Sequence, residues 1–531
     1  MTENRRQGTL AQDSRATGQD AVFAFLADPA THSLSEPIKR IDTHAAAVFL
    51  AGKNVYKVKK AIRFPFMDQS TLARRHGACE AEVTVNRRFT PDLYLGIVPI
   101  VSRSDGLHLG GPGETVEWAV HLNRFDENRT LDLVAERGEL TSPLIARIAE
   151  LILASHRAGA VSDGARATAA LAEVVTETLD ELTGAPDIFP PERAATLAST
   201  LHSAFASVRG LLLERGGKAR VRRCHGDLHL RNIALLDRGP ILFDAIEFDE
   251  SIATTDVLYD LAFVLMDLWE RRLHGEANLL LNRYLWGCDD IAGELAGLAA
   301  LPAFLGLRAS VRAKIDAIRL RDVGWSLKDE TLGYFDSAIV FLQPSAPLLV
   351  AIGGLSGAGK TTLAGRIAST IGRAPGAVHL RSDIERKRLL GVPEVERLPP
   401  SAYRPELTET VFASLREQTE IALKAGHSVI VDAVHRKEEE RRLIADVAAR
   451  ADVGFIGLWL DAPVDALIAR VRKRLGDASD ATGEIVTQQA REDAGPLAWT
   501  RLDASVTPET LADVALAACM PTAPLRSHRA E

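Results

Sequence analysis

The stretch GGLSGAGKTTLAGRI, residues 353–367, decides the fold of the C-terminal part of the chain. Gly354 is followed by four residues and then by Gly359, Lys360 and Thr361, between an apolar run and a helical pattern. Glycines at this spacing let backbone N–H groups point into one concavity at a helix N-terminus, where a chain of phosphates binds. An incidental glycine-rich turn is the alternative, but the flanking strand and helix argue against it. We expect the nucleotide to be bound by Gly354, Ser356, Gly357, Ala358, Gly359, Lys360, Thr361 and Thr362.

In such a phosphate-binding loop (P-loop), Lys360 reaches the outer phosphates and Thr361 binds magnesium. In HSVIVDAV, residues 427–434, an apolar run leads to Asp432, at a position where a P-loop protein usually holds its metal through water. A lone aspartate after a strand is otherwise a turn or cap residue. The assignment of Asp432 to magnesium therefore depends on the P-loop.

Two further groups of charged residues follow the P-loop. Asp383 and Arg386, three residues apart in LRSDIERKRL, are predicted to share one helix face, as a carboxylate that accepts a hydroxyl proton and a guanidinium that holds substrate or phosphate. An N-cap aspartate and a solvated arginine are the alternative. Arg470 and Arg474 lie four apart on another predicted helix, either as part of a lid over the triphosphate or as a solvated basic face.

Strands and helices alternate from about residue 346, which indicates a parallel sheet covered by helices. Residues from about 346 to 515 resemble the P-loop kinases that phosphorylate hydroxyls of small molecules or polynucleotide ends. In that group, the aspartate on the second strand, with an arginine three residues later, is the substrate-side pair. The resemblance implies that Asp383 is the general base, and it does not imply an acceptor.

A second informative stretch is RCHGDLHLRN, residues 223–232. His225, Asp227 and Asn232 have the H-x-D-x-x-x-x-N spacing of a kinase catalytic loop, and Asp244 ends the apolar run ILFD shortly afterwards. We expect Asp227 to accept or orient the proton of a substrate hydroxyl, and Asn232 and Asp244 to bind magnesium.

The same ten residues allow two other chemistries. His225 and His229 lie four apart and, on a helix, would share a face as zinc ligands, although no third ligand of that type is indicated nearby. Cys224 is the candidate nucleophile of a hydrolase, which requires a base that is close in space and not only in sequence. The kinase interpretation fits the loop-forming Gly226 better.

Kinase chemistry also predicts an upstream lysine on a strand, paired with a helix glutamate. In NVYKVKKAI, residues 54–62, Lys57 and Lys59 share one face of a predicted strand, and we favour Lys57. Of Glu80 and Glu82 in the next predicted helix, Glu82 is better placed. The alternative is that these are ordinary solvent-facing charges.

From about residue 21 to 335 the sequence resembles the aminoglycoside phosphotransferase family, the small-molecule branch of the protein-kinase-like fold. The resemblance is carried by HGDLHLRN, FDAIEFD and DVLYDLAFVLMDL. It implies that Asp227 is the base and that Asn232 and Asp244 are metal ligands. The chain departs from the kinase pattern in two places: no G-x-G-x-x-G covers the phosphates, so Thr43 and backbone amides would have to serve, and Glu247 follows Asp244 with an open role.

Length and composition set the outer limits of the interpretation. The 531 residues are 46% hydrophobic and 25% charged, as in ordinary globular proteins of more than one domain. The net charge of −8 makes nucleic acid an unlikely partner and disfavours an anionic membrane. The four cysteines form no CxxC pair, the N-terminus is polar, and no uncharged apolar run reaches 18 residues, so we expect a cytoplasmic protein.

The predicted architecture is an α+β protein-kinase-like domain of two lobes followed by an α/β P-loop NTPase domain with a parallel sheet. The expected boundaries are a disordered tail over 1–20, a kinase-like domain over 21–343 with lobes 21–125 and 126–343, and a P-loop kinase domain over 344–531. This pairing is similar to a group of bacterial two-domain proteins.

The sequence predicts a bifunctional phosphotransferase that uses ATP, with GTP as the alternative nucleotide, together with Mg²⁺ and a small-molecule hydroxyl acceptor. One alternative is that one half is catalytic and the other is a regulatory nucleotide- or ligand-binding module. Another is that the P-loop half phosphorylates nucleic-acid 5′-hydroxyl ends. The acceptors and the oligomeric state do not follow from the sequence.

Overall fold

The computed structural model describes residues 16–43, 45–64, 67–323, 328–473 and 476–519. By their contacts these residues form two compact units. Unit 1 consists of the described residues up to Leu140 together with Arg223–Thr255. Unit 2 consists of Thr141–Arg222 together with the described residues from Asp256 onward.

The elements are numbered in chain order. The first part of the chain contains α1 (Ala16–Ala27), β1 (Lys39–Asp42), β2 (Ala46–Ala51), β3 (Asn54–Lys59), β4 (Arg63–Phe64), β5 (Met67–Asp68), α2 (Leu72–Asn86), β6 (Tyr94–Arg103), β7 (Gly106–Leu109), β8 (Glu114–Asn123) and α3 (Leu131–Glu136). Next come α4 (Ser142–Ala158), α5 (Gly164–Thr183), α6 (Pro191–Gly217), β9 (Val221–Arg223), β10 (Ile233–Leu236), β11 (Gly239–Leu242), α7 (Glu250–Ala253) and β12 (Thr254–Asp256).

The remaining elements are mostly helical before the second large sheet begins. The helices are α8 (Val257–Glu270), α9 (His274–Gly287), α10 (Ile291–Gly297), α11 (Leu301–Val323) and α12 (Lys328–Leu342). The sheet region contains β13 (Leu348–Gly354), α13 (Lys360–Ile367), β14 (Val378–Arg381), α14 (Ser382–Leu390), α15 (Pro405–Lys424), β15 (Val429–Asp432), α16 (Glu438–Arg450), β16 (Gly454–Asp461), α17 (Val464–Lys473), α18 (Gly483–Arg491), β17 (Thr500–Asp503) and α19 (Pro508–Cys519).

Unit 1 is built on a six-stranded antiparallel sheet in the order β1-β2-β3-β8-β6-β7. Strands β2 and β3 form a hairpin, because they pair from Ala51 with Asn54 onward across a two-residue turn. Tyr56 and Val58 pack into the core on one face of β3, which leaves the alternate positions to the other face, as the period of two requires.

Helix α1 packs against this sheet through three apolar side chains, Val22, Phe23 and Leu26. The helix begins at Ala16, inside the stretch predicted to be a disordered tail. Val22, Phe23 and Leu26 lie beyond residue 20, and their burial with Phe49 orders the helix, which the polar residues 1–20 alone do not indicate. Residues 1–15 of the predicted tail lie outside the described residues.

Unit 2 contains the parallel sheet predicted for the C-terminal part, and the structure gives it five strands in the order β14-β15-β13-β16-β17. Six of the seven residues of the central strand β13 are buried, because helices cover both faces. The carboxyl ends of β13, β14 and β15 therefore lie side by side at one edge of the sheet, as in a P-loop domain.

Strand β14 is an edge strand, and its outer backbone groups are bonded by side chains of helix α9. Asn282 donates through Nδ2 to the carbonyl of Ala377 at 3.2 Å and accepts at Oδ1 from the amide of His379 at 2.7 Å. Trp286 donates through Nε1 to the carbonyl of His379 at 2.7 Å. Helix side chains thus take the place of a further strand.

The predicted domain boundary near residue 344 coincides with the loop between α12 and β13. Helix α12 and strand β13, on either side of this loop, nevertheless belong to one compact unit, and the division at 344 stays a prediction. Among the described residues, one helical stretch, Ile291–Leu320, has the length and apolar composition of a membrane span, and 78% of its most apolar window is buried inside the structure.

Candidate functional site

The P-loop connects β13 to α13, and two of its glycines allow close approach of other backbone segments. A Cβ on Gly354, where φ is +132°, would lie 2.6 Å from the carbonyl oxygen of Leu460. A Cβ on Gly357, where φ is +85°, would lie 2.7 Å from the carbonyl oxygen of Leu467. Both positions therefore require glycine on steric grounds as well as for their backbone angles.

Lys360 and Thr361 begin helix α13 and face the end of the neighbouring strand β15. Lys360 Nζ donates to the carbonyls of Gly354 at 2.9 Å and Leu355 at 3.1 Å. The Thr361 hydroxyl donates to Oδ2 of Asp432 at 2.5 Å. A hydroxyl and a carboxylate are the hard oxygen donors that Mg²⁺ prefers, so this pair fits a magnesium site.

Asp432 is buried at the carboxyl end of β15. Burial opposes its ionisation, but the nearby His379 side chain and the charges of Lys360 and Arg381 lower the pKa of the carboxyl below its usual range. His379 Nε2 is 3.6 Å and Arg381 Nε is 3.8 Å from Asp432 Oδ2. The carboxylate is therefore held in its charged form at the position where a cation would bind.

Sequence analysis did not identify His379 and Arg381, which lie on the edge strand β14. Arg381 also donates through Nη2 to Oδ1 of Asp477 at 3.0 Å, which connects the strand to the segment after α17. The available signal was two basic residues in the short strand VHLR, where each residue is buried. Charged side chains in a buried strand need partners, and here the partners are acidic groups at the candidate site.

Asp383 lies in the first turn of α14, one residue beyond the start of the helix. Burial and the negative charge of Asp432 raise the pKa of the Asp383 carboxyl, against the opposing charges of Arg381 and Lys360. The structure thus brings this predicted base close enough to the P-loop residues to interact with their charges.

Arg386, predicted to share a face with Asp383, is buried against the segment before α15. Its Nη1 donates to the carbonyl of Ala402 at 2.7 Å, and its guanidinium carbon lies 4.7 Å from the centroid of the Tyr403 ring. Neither contact was predicted in the sequence analysis. They fix the side chain in place, and its contact with substrate stays a prediction.

Arg470 lies on helix α17 as predicted, and its Nη2 donates to the carbonyl of Ala504 at 2.7 Å. Arg474, its predicted companion in a lid, lies outside the described residues. Gln489 on α18 contacts the P-loop, where its Oε1 accepts from the amide of Ser356 at 3.0 Å. The sequence analysis did not predict this contact.

In unit 1, Lys57 lies between two carboxylates. Its Nζ is 3.0 Å from Oε1 of Glu82 and 2.5 Å from Oδ1 of Asp244. Burial disfavours the charged lysine, but Asp244 and Glu82 together raise the pKa of Lys57 well above its usual value. The structure therefore brings together the lysine, the helix glutamate and the later aspartate that the sequence singled out, while Glu80 is largely exposed.

Lys59 forms a second ion-pair cluster on the same face of β3. Its Nζ is 2.5 Å from Oε2 of Glu82 and also contacts the carboxylate of Glu247. Glu82 is fully buried, and although burial opposes its ionisation, the charges of Lys57 and Lys59 lower the pKa of its carboxyl. Glu247, whose role the sequence left open, is thus a partner of a buried lysine.

The loop with Asp227 is organised by hydrogen bonds within unit 1. Asn232 Nδ2 donates to the backbone carbonyl of Asp227 and to its Oδ2, both at 2.9 Å. His229 Nε2 is 3.3 Å from the same carboxylate oxygen. The amide nitrogen of Asn232 is therefore used to hold Asp227, and its oxygen is the atom suited to a magnesium ion.

His225 joins this loop to the segment after β11 that contains Asp244. Its Nε2 lies 3.0 Å from the carbonyl oxygen of Phe243, an acceptor, so this nitrogen carries the proton and donates. His225 and His229 lie in an irregular segment and not on a helix, which counts against the zinc alternative. Asp244 itself has φ of +59°, a left-handed conformation uncommon for a residue other than glycine, at a candidate metal position.

The predicted substitute for a glycine-rich loop, Thr43, lies just before β2. Its hydroxyl oxygen accepts from the amides of Ala45 at 3.3 Å and Ala46 at 2.9 Å. The hydroxyl thus stabilises its own turn, and a contact with phosphate stays a prediction.

The family match agrees with the assignment of a P-loop domain to the C-terminal part. Residues 349–496 match the family described as an AAA domain. An uncharacterized protein of Mycobacterium tuberculosis is 28% identical over 464 residues, which cover 85% of this chain and 89% of that protein. A gluconokinase from Sinorhizobium meliloti 1021 has 21% identity and a TM-score of 0.24, and covers 33% of this chain and 91% of its own. A choline/ethanolamine kinase family protein from Mesorhizobium loti has 14% identity and a TM-score of 0.37, and covers 61% of this chain and 95% of its own.

Proposed function

We propose that the chain is an ATP-dependent phosphotransferase and that its P-loop half transfers the terminal phosphoryl group to a hydroxyl of a small molecule. The observation that carries this proposal is the meeting of Lys360, Thr361 and Asp432 at the carboxyl ends of adjacent parallel strands, with Asp383 beside them. The AAA-domain match over 349–496 supports nucleotide binding at the same residues.

In the proposed reaction, loop amides and Lys360 bind the phosphates, while Thr361 and Asp432 hold magnesium. The metal supplies positive charge that offsets the charge on the phosphate oxygens. The chain's own contribution is to orient the nucleotide and to keep the carboxylate of Asp432 ionised beside it. Because Lys360 and Asp432 are already held in place, they need little rearrangement when the phosphoryl group transfers.

Asp383 is proposed as the base for the acceptor. Its carboxylate takes the proton of the acceptor hydroxyl as the hydroxyl oxygen forms a bond to the terminal phosphorus, and the bond from that phosphorus to the diphosphate oxygen breaks. The products are the phosphorylated acceptor and the nucleoside diphosphate. A pKa raised by burial brings the carboxyl closer to the working pH, which favours this role. Arg386 is proposed to border the acceptor from the same helix.

Unit 1 is proposed as a second phosphotransfer site, which would make the chain bifunctional. Lys57, placed by Glu82, is proposed to bind the nucleotide phosphates, and Asp227 to accept the hydroxyl proton. Asn232 and Asp244 supply oxygen atoms that fit magnesium. The lysine–glutamate pair and the Asn232–Asp227 contact support this reading over that of a purely structural domain.

Two other functions remain as alternatives to be tested. One half could serve as a regulatory nucleotide-binding module for the other, or the P-loop half could act on nucleic-acid 5′-hydroxyl ends. The net charge of −8 disfavours the second, and we propose a cytoplasmic enzyme for small molecules that uses ATP.

The test is a phosphoryl-transfer screen with labelled ATP over sugars, aminoglycosides, nucleosides and 5′-hydroxyl oligonucleotides. Intact protein is compared with Lys360→Ala and Asp227→Ala, and with the exposed controls Lys424→Ala and Asp237→Ala. Each site variant is expected to lose one set of products and keep the other. If one site variant abolishes every product while the other leaves transfer intact, the bifunctional proposal fails.

A further inference from the structure

Helix α18 is far from the P-loop in sequence, but the side-chain amide of its Gln489 contacts the loop. The Ser356 amide donates to Oε1 of Gln489 at 3.0 Å. Ser356 lies two residues after the first glycine of the loop, among the amides that form the phosphate cradle. A group bonded to one of these amides lies close to any phosphate that the neighbouring amides bind.

The position of Gln489 is fixed by the packing of its helix. Val486, one helical turn earlier on the same face, is fully buried in a core that includes Ala358 of the P-loop and Leu467 of α17. Thr482 caps the N-terminus of the helix, and its hydroxyl accepts from the amide of Ile485 at 3.4 Å. The same core thus supports the P-loop and the helix that carries Gln489.

The hydrogen bond to Ser356 also orients the carboxamide. Because Oε1 accepts from the loop amide, the other end of the group is Nε2, which only donates. Across the described residues, Nε2 of Gln489 has no protein acceptor. A donor held at the P-loop in this way is suited to a phosphate oxygen.

We infer that Gln489 binds the terminal phosphoryl group of the nucleotide through Nε2 while its Oε1 stays on the Ser356 amide. This inference rests on the proposed function of the P-loop half, and adds a residue that distinguishes a nucleoside triphosphate from a diphosphate. Gln489 contributes little to a diphosphate, which lacks the group that Nε2 contacts.

The test measures binding of ADP and of the non-hydrolysable analogue AMPPNP, each with Mg²⁺, to the full chain by calorimetry. Gln489→Glu keeps an oxygen for the Ser356 amide but removes the donor and adds negative charge, and Gln489→Ala removes both. A hydrogen bond to a charged group predicts at least about tenfold weaker AMPPNP binding for both variants, with ADP affinity changed less than about twofold.

The matched control is Gln488→Ala, because Gln488 is the exposed neighbour on the same helix and donates to Glu492 at 3.3 Å. Its affinities for both nucleotides are expected to equal those of the wild type. Thermal melting of all variants checks that the helix stays folded, and the ratio of AMPPNP to ADP affinity is the readout that a structural role would not move.

The possible outcomes separate this inference from the proposed function. If Gln489→Ala binds AMPPNP as well as or better than the wild type, or loses ADP and AMPPNP equally, the inference is wrong. If the wild type binds neither nucleotide, or Lys360→Ala binds both as the wild type does, the proposed function of the P-loop half is itself wrong, and the inference falls with it.

Discussion

The hydroxyl of Thr361 donates to Oδ2 of Asp432 at 2.5 Å, which joins the first turn of α13 to the end of the adjacent strand β15. The strands are in register so that Ile352 pairs with Asp432, and the P-loop leaves the sheet two residues later. A phosphate site and a carboxylate are thereby held at one sheet edge by main-chain pairing.

Loss of the Asp432 carboxylate should weaken magnesium binding at the P-loop. Asp432→Asn keeps the size of the side chain but removes the charge that the metal requires, and we expect the apparent Mg²⁺ affinity to fall by about 10–100-fold. Magnesium titration of P-loop-dependent phosphoryl transfer measures this apparent affinity. Thr361→Ser, which keeps the hydroxyl, should behave nearly as the wild type, and equal losses in the two variants would contradict this account.

The pH dependence of transfer at the P-loop should report Asp383. Its pKa is raised, so the carboxyl is protonated and inactive at acidic pH and becomes an active base as the pH rises through this pKa. The acidic limb of kcat should therefore lie above the value near 3.9 that is typical of an exposed aspartate. Asp383→Asn should lower kcat by at least about 100-fold and remove this limb, whereas the exposed control Asp446→Asn should change neither. A limb that persists in Asp383→Asn would identify another base.

The buried ion pair of Lys59 with Glu247 should contribute to the stability of unit 1. Glu247→Gln leaves Lys59 buried with Glu82 alone, and we expect the free energy of unfolding to fall by about 1–3 kcal/mol. Urea denaturation measures this change. Glu80→Gln, on the exposed side of helix α2, should change it by less than about 0.5 kcal/mol, and equal effects of the two substitutions would show that the ion pair is not stabilising.

Asn282 should stabilise the edge of the parallel sheet from helix α9. Asn282→Ala removes the acceptor for the His379 amide and a donor to the Ala377 carbonyl, both buried. A buried polar group left unpaired costs about 1–3 kcal/mol, which sets the expected loss in unfolding free energy. Asp289→Asn, beyond the end of the same helix and 81% exposed, serves as the control in the same urea experiment. Equal stability of Asn282→Ala and the wild type would count against the role of this contact.

The parts of the candidate site that the sequence predicted are those with a local cause. The P-loop is contiguous, so its spacing alone identifies Gly354 to Thr361. The alternation of β3 places Lys57 and Lys59 on one face, and both do contact Glu82. The apolar run before Asp432 was enough to locate it at the end of a buried strand.

The residues that sequence analysis missed depend on contacts between distant segments. Gln489 meets Ser356 only because α18 packs on the core beneath the loop, and no local pattern distinguishes it from Gln488. Arg386 itself was predicted and lies on the expected helix. Its partners, Ala402 and Tyr403, were missed because they come from a segment whose path the local sequence does not determine. Periodicity identifies the face of a helix and not the element that it meets.

The side chains of α9 that cover strand β14 limit how far the P-loop half can be treated as a transferable module. A fragment that starts after Leu342 would keep all five strands but expose the amide of His379 and the carbonyls of Ala377 and His379 along an open strand edge. Open edges of this kind recruit strands from other copies of the chain. The P-loop and the helix that shields its sheet have therefore to be inherited, expressed and engineered together.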